Sequence, residues 1–186
     1  MSPKTRSKRR SAGRPNGRII LVLGGASSGK SEIALRLGGS RRPRAFVATG
    51  QGLDEEMANR IAQHQATRSA EWQTIEEPID VEAWFSKQGA EYRIILFDCV
   101  TLWLSNLVGI GLAESVILAR VETLLDAMRR TGATVIIVSN ELGSGLVPAE
   151  PSVRAFRDLS GRVNQCLATG ADEAYLAVSG LPLRLK

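Results

Sequence analysis

Short apolar runs alternate along this chain with stretches in which apolar and polar residues recur at helical spacing. The runs are apolar at nearly every position, which is typical of strands buried on both faces. They predict strands at 19–23, 45–49, 72–75, 92–98, 134–139 and 174–178. Because these strands alternate with helical segments, the pattern predicts an α/β fold, a mostly parallel sheet with helices on both faces.

The segments between the strands carry helix start and stop signals. Asp54 is a good N-cap with acids in the turn that follows, and Gly38 and Gly39 end the first helical segment. The predicted helices cover 31–37, 54–68, 81–89, 102–130 and 153–169, and the fourth is expected to break near 109–111. Without an internal repeat or a second apolar core pattern, we expect a single domain over 18–186.

The charge distribution changes this picture at the N-terminus. The chain of 186 residues has a net charge of +5, but residues 1–18 hold seven basic residues and no acid, so the remainder has a net charge of −2. We therefore predict a basic, disordered arm over 1–17. Such an arm can bind nucleic acid or a membrane surface, but a tail of no specific role is the simpler interpretation, and nucleic acid is not the expected partner.

Other features exclude several classes of protein. No apolar run approaches the roughly 20 residues of a membrane span, and the N-terminus lacks a secretory apolar core, so we expect a cytoplasmic protein. Cys99 and Cys166 lack the spacing of metal ligands and the chain has one histidine, which argues against a zinc site of the usual Cys/His type. Cys99 lies in an apolar stretch and is expected to be a buried side chain.

The first strand leads into a segment with the spacing of a phosphate-binding loop. Its residues are Gly24, Gly25, Ala26, Ser27, Ser28, Gly29, Lys30 and Ser31. The glycines let successive N–H groups point at a phosphate, and the following helix adds its positive end. Lys30 is expected to reach the β- and γ-phosphates of a nucleoside triphosphate, and Ser31 to bind the magnesium that bridges them. A glycine-rich turn with a chance lysine is the alternative, which the strand–loop–helix setting disfavours.

Asp98 ends a buried strand, as the Walker B acid does in proteins with this loop. It is expected to hold Mg²⁺ directly or through water, unless it is an ordinary acid at a strand end. For two other polar segments, the sequence leaves two interpretations open. Glu76 and Glu77 either are solvated or accept hydrogen bonds from a ribose or a base. Ser139–Glu141 either bind a ligand at the carboxyl end of a strand or act as structural caps.

His64 is the only histidine of the chain. On the helix predicted from Asp54, it shares one face with Arg60 and Arg68. Two guanidinium groups disfavour the protonated imidazole and lower the pKa of His64, and a neutral imidazole is a nucleophile. The pattern allows the hypothesis that His64 attacks a nucleotide phosphorus to form a phosphoramidate. The alternative is a histidine that is only packed or solvated.

Several sequence blocks together resemble one family, the bifunctional adenosylcobinamide kinase / adenosylcobinamide-phosphate guanylyltransferases of cobalamin biosynthesis. The resemblance runs from about residue 18 to the last residue and is far more specific than the phosphate-binding loop alone. The blocks are 24–31, 48–57, 60–64, 72–78, 98–106, 139–148, 156–165 and 171–173.

This resemblance implies a function. Family members phosphorylate the aminopropanol arm of adenosylcobinamide with a nucleoside triphosphate, and then transfer GMP from GTP through a guanylylated histidine to give adenosylcobinamide-GDP. That histidine aligns with His64, and Lys30 is expected to be catalytic with it. The resemblance also implies a P-loop sheet of the RecA type, a homotrimer, and GTP, ATP and Mg²⁺ as ligands. The positions that match the nucleotide contacts are the phosphate-binding loop 24–31, Ala48, Thr49, Gly50, Gln65, Ala66, Thr67, Arg68, Glu76 and Asp98.

Two departures from the family pattern bear on this expectation. Ser27 stands where the family often has arginine, so one phosphate or intersubunit contact is expected to be absent. The basic arm has no counterpart in the usual pattern. Two other interpretations stay open at this point: a kinase of another small alcohol or nucleotide, and a RecA-like ATPase that uses the arm on nucleic acid, although the net negative charge beyond the arm argues against the latter.

Overall fold

A seven-stranded sheet forms the centre of the structure, a computed structural model that describes residues 17–52, Glu55, Asn59 and 70–186. The strand order is β3-β2-β4-β5-β1-β6-β7. The first six strands in that order are parallel, and β7 is antiparallel to β6. The strands are β1 Arg18–Gly24, β2 Arg44–Ala48, β3 Trp72–Glu76, β4 Ile94–Asp98, β5 Thr134–Asn140, β6 Glu173–Val178 and β7 Leu181–Arg184.

The helices connect the parallel strands and cover both faces of the sheet, as the sequence predicts. Within the described residues they are α1 Lys30–Leu37, α2 Val81–Gln88, α3 Val100–Gly109, α4 Glu114–Thr131 and α5 Pro151–Gly170, with a 3-10 turn over Gly89–Glu91. The predicted break in the long helical region separates α3 from α4. Gly111 adopts a φ of +80° there, which an L side chain disfavours.

Strand residues alternate between two apolar layers. Ile19 and Leu21 of β1 pack toward the helices of one face, α2 to α5, whereas Ile20 and Val22 pack with Ile33 of α1 on the other. All five side chains are at most 2% exposed. Complete burial of one such side chain stabilises the fold by about 1.5–3 kcal/mol. The apolar runs therefore form the middle of the sheet and leave the polar strand ends for the site.

The N-terminal end of β1 is fixed by ionic and backbone contacts. Asp172 accepts a hydrogen bond from the N–H of Ile19 at 2.7 Å and a second from Arg129. Arg129 also donates to the carbonyl oxygens of Gly17 and Gly170, each at 2.7 Å. These contacts lower the pKa of Asp172, chiefly through the Arg129 hydrogen bond. They position the strand from which the phosphate-binding loop emerges.

The structure confirms the fold prediction and adds one strand to it. Strand β7 was not predicted: Leu181–Arg184 forms an antiparallel edge strand beyond the last predicted one. Most predicted boundaries differ by one or two residues from those observed, which is usual for element ends. The predicted helix over 54–68, and residues 1–16 of the predicted arm, lie outside the described residues apart from Glu55 and Asn59.

Candidate active site

The carboxyl ends of the parallel strands bring several of the predicted nucleotide contacts into one row. Ala48, the last residue of β2, pairs with Glu76 of β3 on one side and with Asp98 of β4 on the other. Gly24 ends β1 at the same edge, where it pairs with Asn140 of β5. Ligands bind at this edge in open α/β sheets. The register therefore places these three expected contacts at the same edge of the sheet as the phosphate-binding loop, with Asp98 two strands and Glu76 four strands away from β1.

The loop between β1 and α1 has the backbone of a phosphate cradle. Ser27 and Gly29 adopt left-handed φ angles of 55° and 87°. A Cβ on Gly24 would lie 2.9 Å from the backbone carbonyl oxygen of Ala177, so a larger residue at the start of the loop would displace the backbone. Ser27 is exposed and holds its left-handed conformation without glycine. The serine that departs from the family pattern is thus compatible with the curled loop.

Ser31 of α1 and Asp98 at the end of β4 are in direct contact, although β1, the strand that leads into α1, is not a neighbour of β4. Strand β5 separates β1 from β4, and α1 returns beneath it so that the Oγ of Ser31 donates to Oδ2 of Asp98 at 3.0 Å. Oxygen ligands of this kind suit Mg²⁺, which is usually held by one or two protein groups together with phosphates and water. The described residues contain no cluster of three or more His, Cys, Asp or Glu side chains that could hold a metal by themselves. The Ser31–Asp98 pair therefore fits a magnesium ion that arrives with a nucleotide.

Lys30 folds back over the loop. Its Nζ donates to the carbonyl oxygen of Gly25 at 2.8 Å. Burial lowers the pKa of Lys30, and the nearby Cys99 and Asp98 oppose that shift. An anionic phosphate in the loop would favour the charged lysine further. Lys30 is thus held inside the loop, within reach of a phosphate bound there.

Thr49 closes the end of β2 against β4. Its Oγ1 donates to the carbonyl oxygen of Cys99 at 2.8 Å and accepts from the N–H of the same residue at 3.0 Å. Burial and the charge of Asp98 raise the pKa of the Cys99 thiol to about 12, so it stays protonated at neutral pH. The expectation of a buried cysteine is confirmed, and Thr49 has a structural role in addition to the predicted nucleotide contact.

Asn106 of α3 links two loops at this edge. Its Nδ2 donates to the carbonyl oxygen of Thr49 at 2.9 Å and to that of Pro78 at 3.0 Å. Trp103, one turn earlier on α3, donates to the carbonyl oxygen of Ile79 at 2.9 Å. The ends of β2 and β3 are therefore held by the same helix. In the sequence analysis, Asn106 belongs to the 98–106 block of the family resemblance, and no role was predicted for it.

Glu76 and Glu77 differ in the structure. Oε1 of Glu77 accepts hydrogen bonds from the N–H groups of Ile79 at 3.2 Å and Asp80 at 2.8 Å, so its carboxylate shapes the turn into α2. Glu76 is exposed at the end of β3. Neither of the two interpretations included this turn-forming role of Glu77, whereas Glu76 stays available for a ligand.

The Ser139–Glu141 segment is used structurally. Ser139 is completely buried and donates to Oδ1 of Asn164 at 2.7 Å. Asn164 in turn donates to the carbonyl oxygen of Asn140 at 3.0 Å. The N–H of Glu141 donates to the carbonyl oxygen of Gly24 at 3.0 Å, which ties the segment to the phosphate-binding loop. The structure favours the capping interpretation for Ser139 and Asn140.

Two arginines of α5 organise the loop that follows β5, and the sequence analysis missed them. Arg157 donates to the carbonyl oxygens of Gly143, Gly145 and Leu146. Arg154 donates to those of Pro148 and Ala149. Each guanidinium spans several carbonyl groups, as its fork of N–H donors allows. The available sequence signal was their position: Arg157 lies in the 156–165 block of the family resemblance, and Arg154 lies just before it.

The β6–β7 hairpin also reaches the phosphate-binding loop, because the N–H of Gly180 donates to the carbonyl oxygen of Ser28 at 2.9 Å. Sequence reasoning missed this contact together with β7. A Ser179-Gly180 turn between two short apolar stretches was the available signal.

The remaining predicted site residues lie outside the part of the chain that the structure describes. They are His64, Gln65, Ala66, Thr67 and Arg68, together with Arg60. Gly50 is half-buried directly after Thr49. None of the described helices is long and apolar enough to cross a membrane.

Comparisons with known proteins agree on one family. The sequence model of the cobinamide kinase / cobinamide phosphate guanyltransferase family matches residues 20–185. The bifunctional adenosylcobalamin biosynthesis protein CobU of Escherichia coli K12 is 37% identical over 180 residues, which cover 90% of this chain and 99% of that protein. CobP of Pseudomonas aeruginosa is 40% identical over 167 residues, covering 89% and 96%. CobU of Salmonella typhimurium is 38% identical over 180 residues, covering 90% and 99%.

Proposed function

This chain belongs to the cobinamide kinase / cobinamide phosphate guanyltransferase family, and on that premise we propose that it performs two reactions at one phosphate-binding loop. The first is phosphorylation of adenosylcobinamide by ATP or GTP. The second is transfer of GMP from GTP to the resulting phosphate, through a guanylylated His64, to give adenosylcobinamide-GDP.

The contact between Ser31 and Asp98 carries the nucleotide part of this proposal. It joins the phosphate-binding loop to the predicted Walker B acid over 3.0 Å. In the proposal, these two oxygens hold Mg²⁺, which neutralises charge on the phosphates when bound. Lys30 holds the β- and γ-phosphates, and Glu76, at the end of β3, faces the nucleoside. The loop supplies N–H donors that orient the triphosphate.

The kinase step needs no covalent intermediate. The hydroxyl oxygen of the aminopropanol arm attacks the γ-phosphorus and loses its proton to solvent, while the bond from that phosphorus to the bridging oxygen breaks. The nucleoside diphosphate leaves. Lys30 and the loop N–H groups stabilise the charge on the transferred phosphoryl group.

The guanylyl transfer is proposed to use two displacements. A neutral imidazole nitrogen of His64 attacks the α-phosphorus of GTP, and the bond to the oxygen that bridges to the β-phosphorus breaks, releasing pyrophosphate. A phosphate oxygen of adenosylcobinamide phosphate then attacks the same phosphorus. The nitrogen–phosphorus bond breaks, its electron pair returns to the imidazole, and adenosylcobinamide-GDP is formed.

Labelled GTP tests the covalent step. With GTP labelled at the α-phosphorus, we expect a protein-bound label that acid removes and base does not, and that adenosylcobinamide phosphate releases as product. His64→Ala should abolish the label. A stable label on that variant would overturn the role of His64, and no label on the wild type would overturn the covalent intermediate.

Kinase assays separate the two reactions. With γ-labelled nucleotide and adenosylcobinamide, His64→Ala should still phosphorylate the substrate, because the histidine is proposed to act only in guanylyl transfer. Lys30→Ala should lose both reactions, because one loop holds the triphosphate for each. Loss of the kinase reaction in His64→Ala, with GTP binding intact, would contradict this division. Phosphorylation of another alcohol or nucleotide instead of the corrinoid would favour a different kinase.

We further propose, from the resemblance, a homotrimer in the cytoplasm. Analytical ultracentrifugation of the purified chain tests the assembly, and a mass equal to one or two copies would contradict it.

A further inference from the structure

The turn between β6 and β7 consists of two residues with left-handed backbones. Ser179 has a φ of 51° and Gly180 a φ of 80°. Two-residue turns of this kind match the twist of the strands they join, and they require positive φ at both positions. The strands on either side pair antiparallel, from Val178 with Leu181 to Tyr175 with Arg184. The turn therefore has a defined geometry and a defined place above the sheet edge.

This turn lies against the phosphate-binding loop backbone to backbone. The N–H of Gly180 donates to the carbonyl oxygen of Ser28 at 2.9 Å. A Cβ on Gly29 would lie 2.9 Å from the Cα of Gly180, closer than such atoms approach in proteins. Gly29 also has a φ of 87°. Both the backbone angle and the proximity of Gly180 therefore require glycine at position 29.

The hydrogen bond to Ser28 has a consequence for the loop. The carbonyl of Ser28 and the N–H of Gly29 belong to one planar trans peptide, in which they point in opposite directions. Because Gly180 holds the carbonyl on the hairpin side, the N–H of Gly29 points away from the hairpin. A phosphate-binding loop uses such N–H groups to hold its anion. We propose that Gly180 is a positioning residue for the phosphate-binding loop, and that it acts through Ser28 and Gly29.

The hairpin is anchored at its other end. The N–H of Leu185 donates to the carbonyl oxygen of Ala174 at 2.8 Å. The Nζ of Lys186 donates to the carbonyl oxygens of Ala168 at 3.2 Å, Thr169 at 3.1 Å and Ala171 at 2.6 Å. A cation at these carbonyl groups also complements the negative end of α5. The hairpin is thus fixed to the body of the protein and can support the loop.

Two alanine substitutions test this role, and the chain offers a matched pair. Gly180 and Gly111 both have a φ of 80°, and a Cβ added to either meets nothing within 4 Å. Gly180→Ala and Gly111→Ala therefore place alanine at the same unfavourable φ without a clash, but Gly111 lies in the α3–α4 connection. The readout is the Kd of GDP with Mg²⁺, measured by isothermal titration calorimetry on the full chain.

We expect Gly180→Ala to raise this Kd by about tenfold. Alanine disfavours the left-handed backbone at position 180, so the turn relaxes and its N–H no longer holds the carbonyl of Ser28 in place. Gly111→Ala should leave the Kd unchanged. The two alanine variants should lower the thermal midpoint of unfolding by similar amounts. Gly180→Asn should restore most of the binding, because asparagine tolerates the left-handed region better than alanine. A purely structural role would lower the thermal midpoint of Gly180→Ala without changing the Kd.

The outcomes separate this inference from the proposed function, on which it rests. A wild-type chain that binds no nucleotide would overturn both. Wild-type binding with an equal Kd in Gly180→Ala and Gly111→Ala would overturn the role of Gly180 alone. If Gly180→Ala does not fold, amide exchange in the wild type decides: slower exchange at Gly180 with nucleotide bound supports the role, and unchanged exchange overturns it.

Discussion

Thr49 and Cys99 exchange two hydrogen bonds through one hydroxyl group. The Oγ1 of Thr49 donates to the carbonyl oxygen of Cys99 and accepts from its N–H group, at 2.8 and 3.0 Å. Thr49 is completely buried. Because Cys99 directly follows Asp98, this pair fixes the backbone that carries the predicted magnesium ligand to the end of the neighbouring strand.

Thr49→Val should destabilise the protein, because valine keeps the shape of threonine but neither donates nor accepts. The N–H of Cys99 loses its partner, which costs about 1–3 kcal/mol, whereas its carbonyl oxygen still accepts from the N–H of Trp103 at 3.1 Å. Urea unfolding measures the change in the free energy of unfolding. Thr49→Ser, which keeps the hydroxyl, should show a smaller decrease in the free energy of unfolding. A valine variant as stable as the serine variant would show that the hydroxyl contributes nothing.

Asp98→Asn should remove the dependence of nucleotide binding on magnesium. The amide keeps an oxygen near Ser31 but lacks the charge that favours a divalent cation. We expect Mg²⁺ to tighten GTP binding to the wild type and to have little effect on the variant, as calorimetry with and without the metal would measure. The control is Asp126→Asn, at an exposed position of α4. An equal response to Mg²⁺ in Asp98→Asn would contradict the metal assignment.

Asn106→Asp should weaken GTP binding and lower stability together. A carboxylate cannot donate, so the carbonyl oxygens of Thr49 and Pro78 lose their shared donor. We expect a loss of about 1–3 kcal/mol in the free energy of unfolding, and a higher KM for GTP because the strand ends separate. Gln88→Glu makes the same charge change on the exposed side of α2. If both variants behave alike, charge alone explains the effect.

Arg157→Lys should make the loop after β5 susceptible to protease. Lysine keeps the charge but cannot span the carbonyl groups of Gly143, Gly145 and Leu146 as a guanidinium does. Limited proteolysis, followed by mass spectrometry of the fragments, should show faster cleavage within 142–150. Arg130→Lys, at an exposed position of α4, is the control. Equal cleavage rates in the two variants would show that Arg157 does not hold the loop.

Asp172→Asn should lower stability at neutral pH and have less effect in acid. The Arg129 hydrogen bond holds the pKa of Asp172 below its usual value, so the folded state favours the carboxylate. The resulting stabilisation is present above the pKa of the unfolded chain and is lost as the pH falls through the lower pKa of the folded protein. Urea unfolding of both proteins from pH 7 to pH 3 measures the difference. A difference that stays constant with pH would contradict the ionic origin.

Local sequence signals were sufficient to predict a feature when the same few neighbouring residues determine both its structure and its chemistry. The glycine spacing of 24–31 predicted a curled loop between a strand and a helix, and the left-handed angles of Ser27 and Gly29 confirm it. The apolar run before Asp98 predicted a buried strand that ends in an acid, and β4 is that strand. In both cases the pattern is set by neighbours in the chain, so it can be read directly.

Contacts between distant segments were not predictable in the same way. Strand β7 is only four residues long and contains a proline, so its short apolar stretch did not predict a strand. The carbonyl contacts of Arg154 and Arg157 leave no pattern, because any backbone can accept a hydrogen bond. Likewise, no local pattern separates Glu77, which shapes a turn, from Glu76, which stays exposed; only the family resemblance singled out Glu76.

By itself, the sequence determined the class of fold, the phosphate-binding loop and the acid that pairs with it, because hydrophobic periodicity and glycine spacing are local properties of a chain. Only the tertiary structure decided which residues support that loop. Gly180 lies about 150 positions from Ser28 along the chain, and the parallel strand order with a final antiparallel hairpin is what brings their backbones together. Backbone hydrogen bonds carry no side-chain signature, so a contact of this kind becomes visible only once the chain has folded.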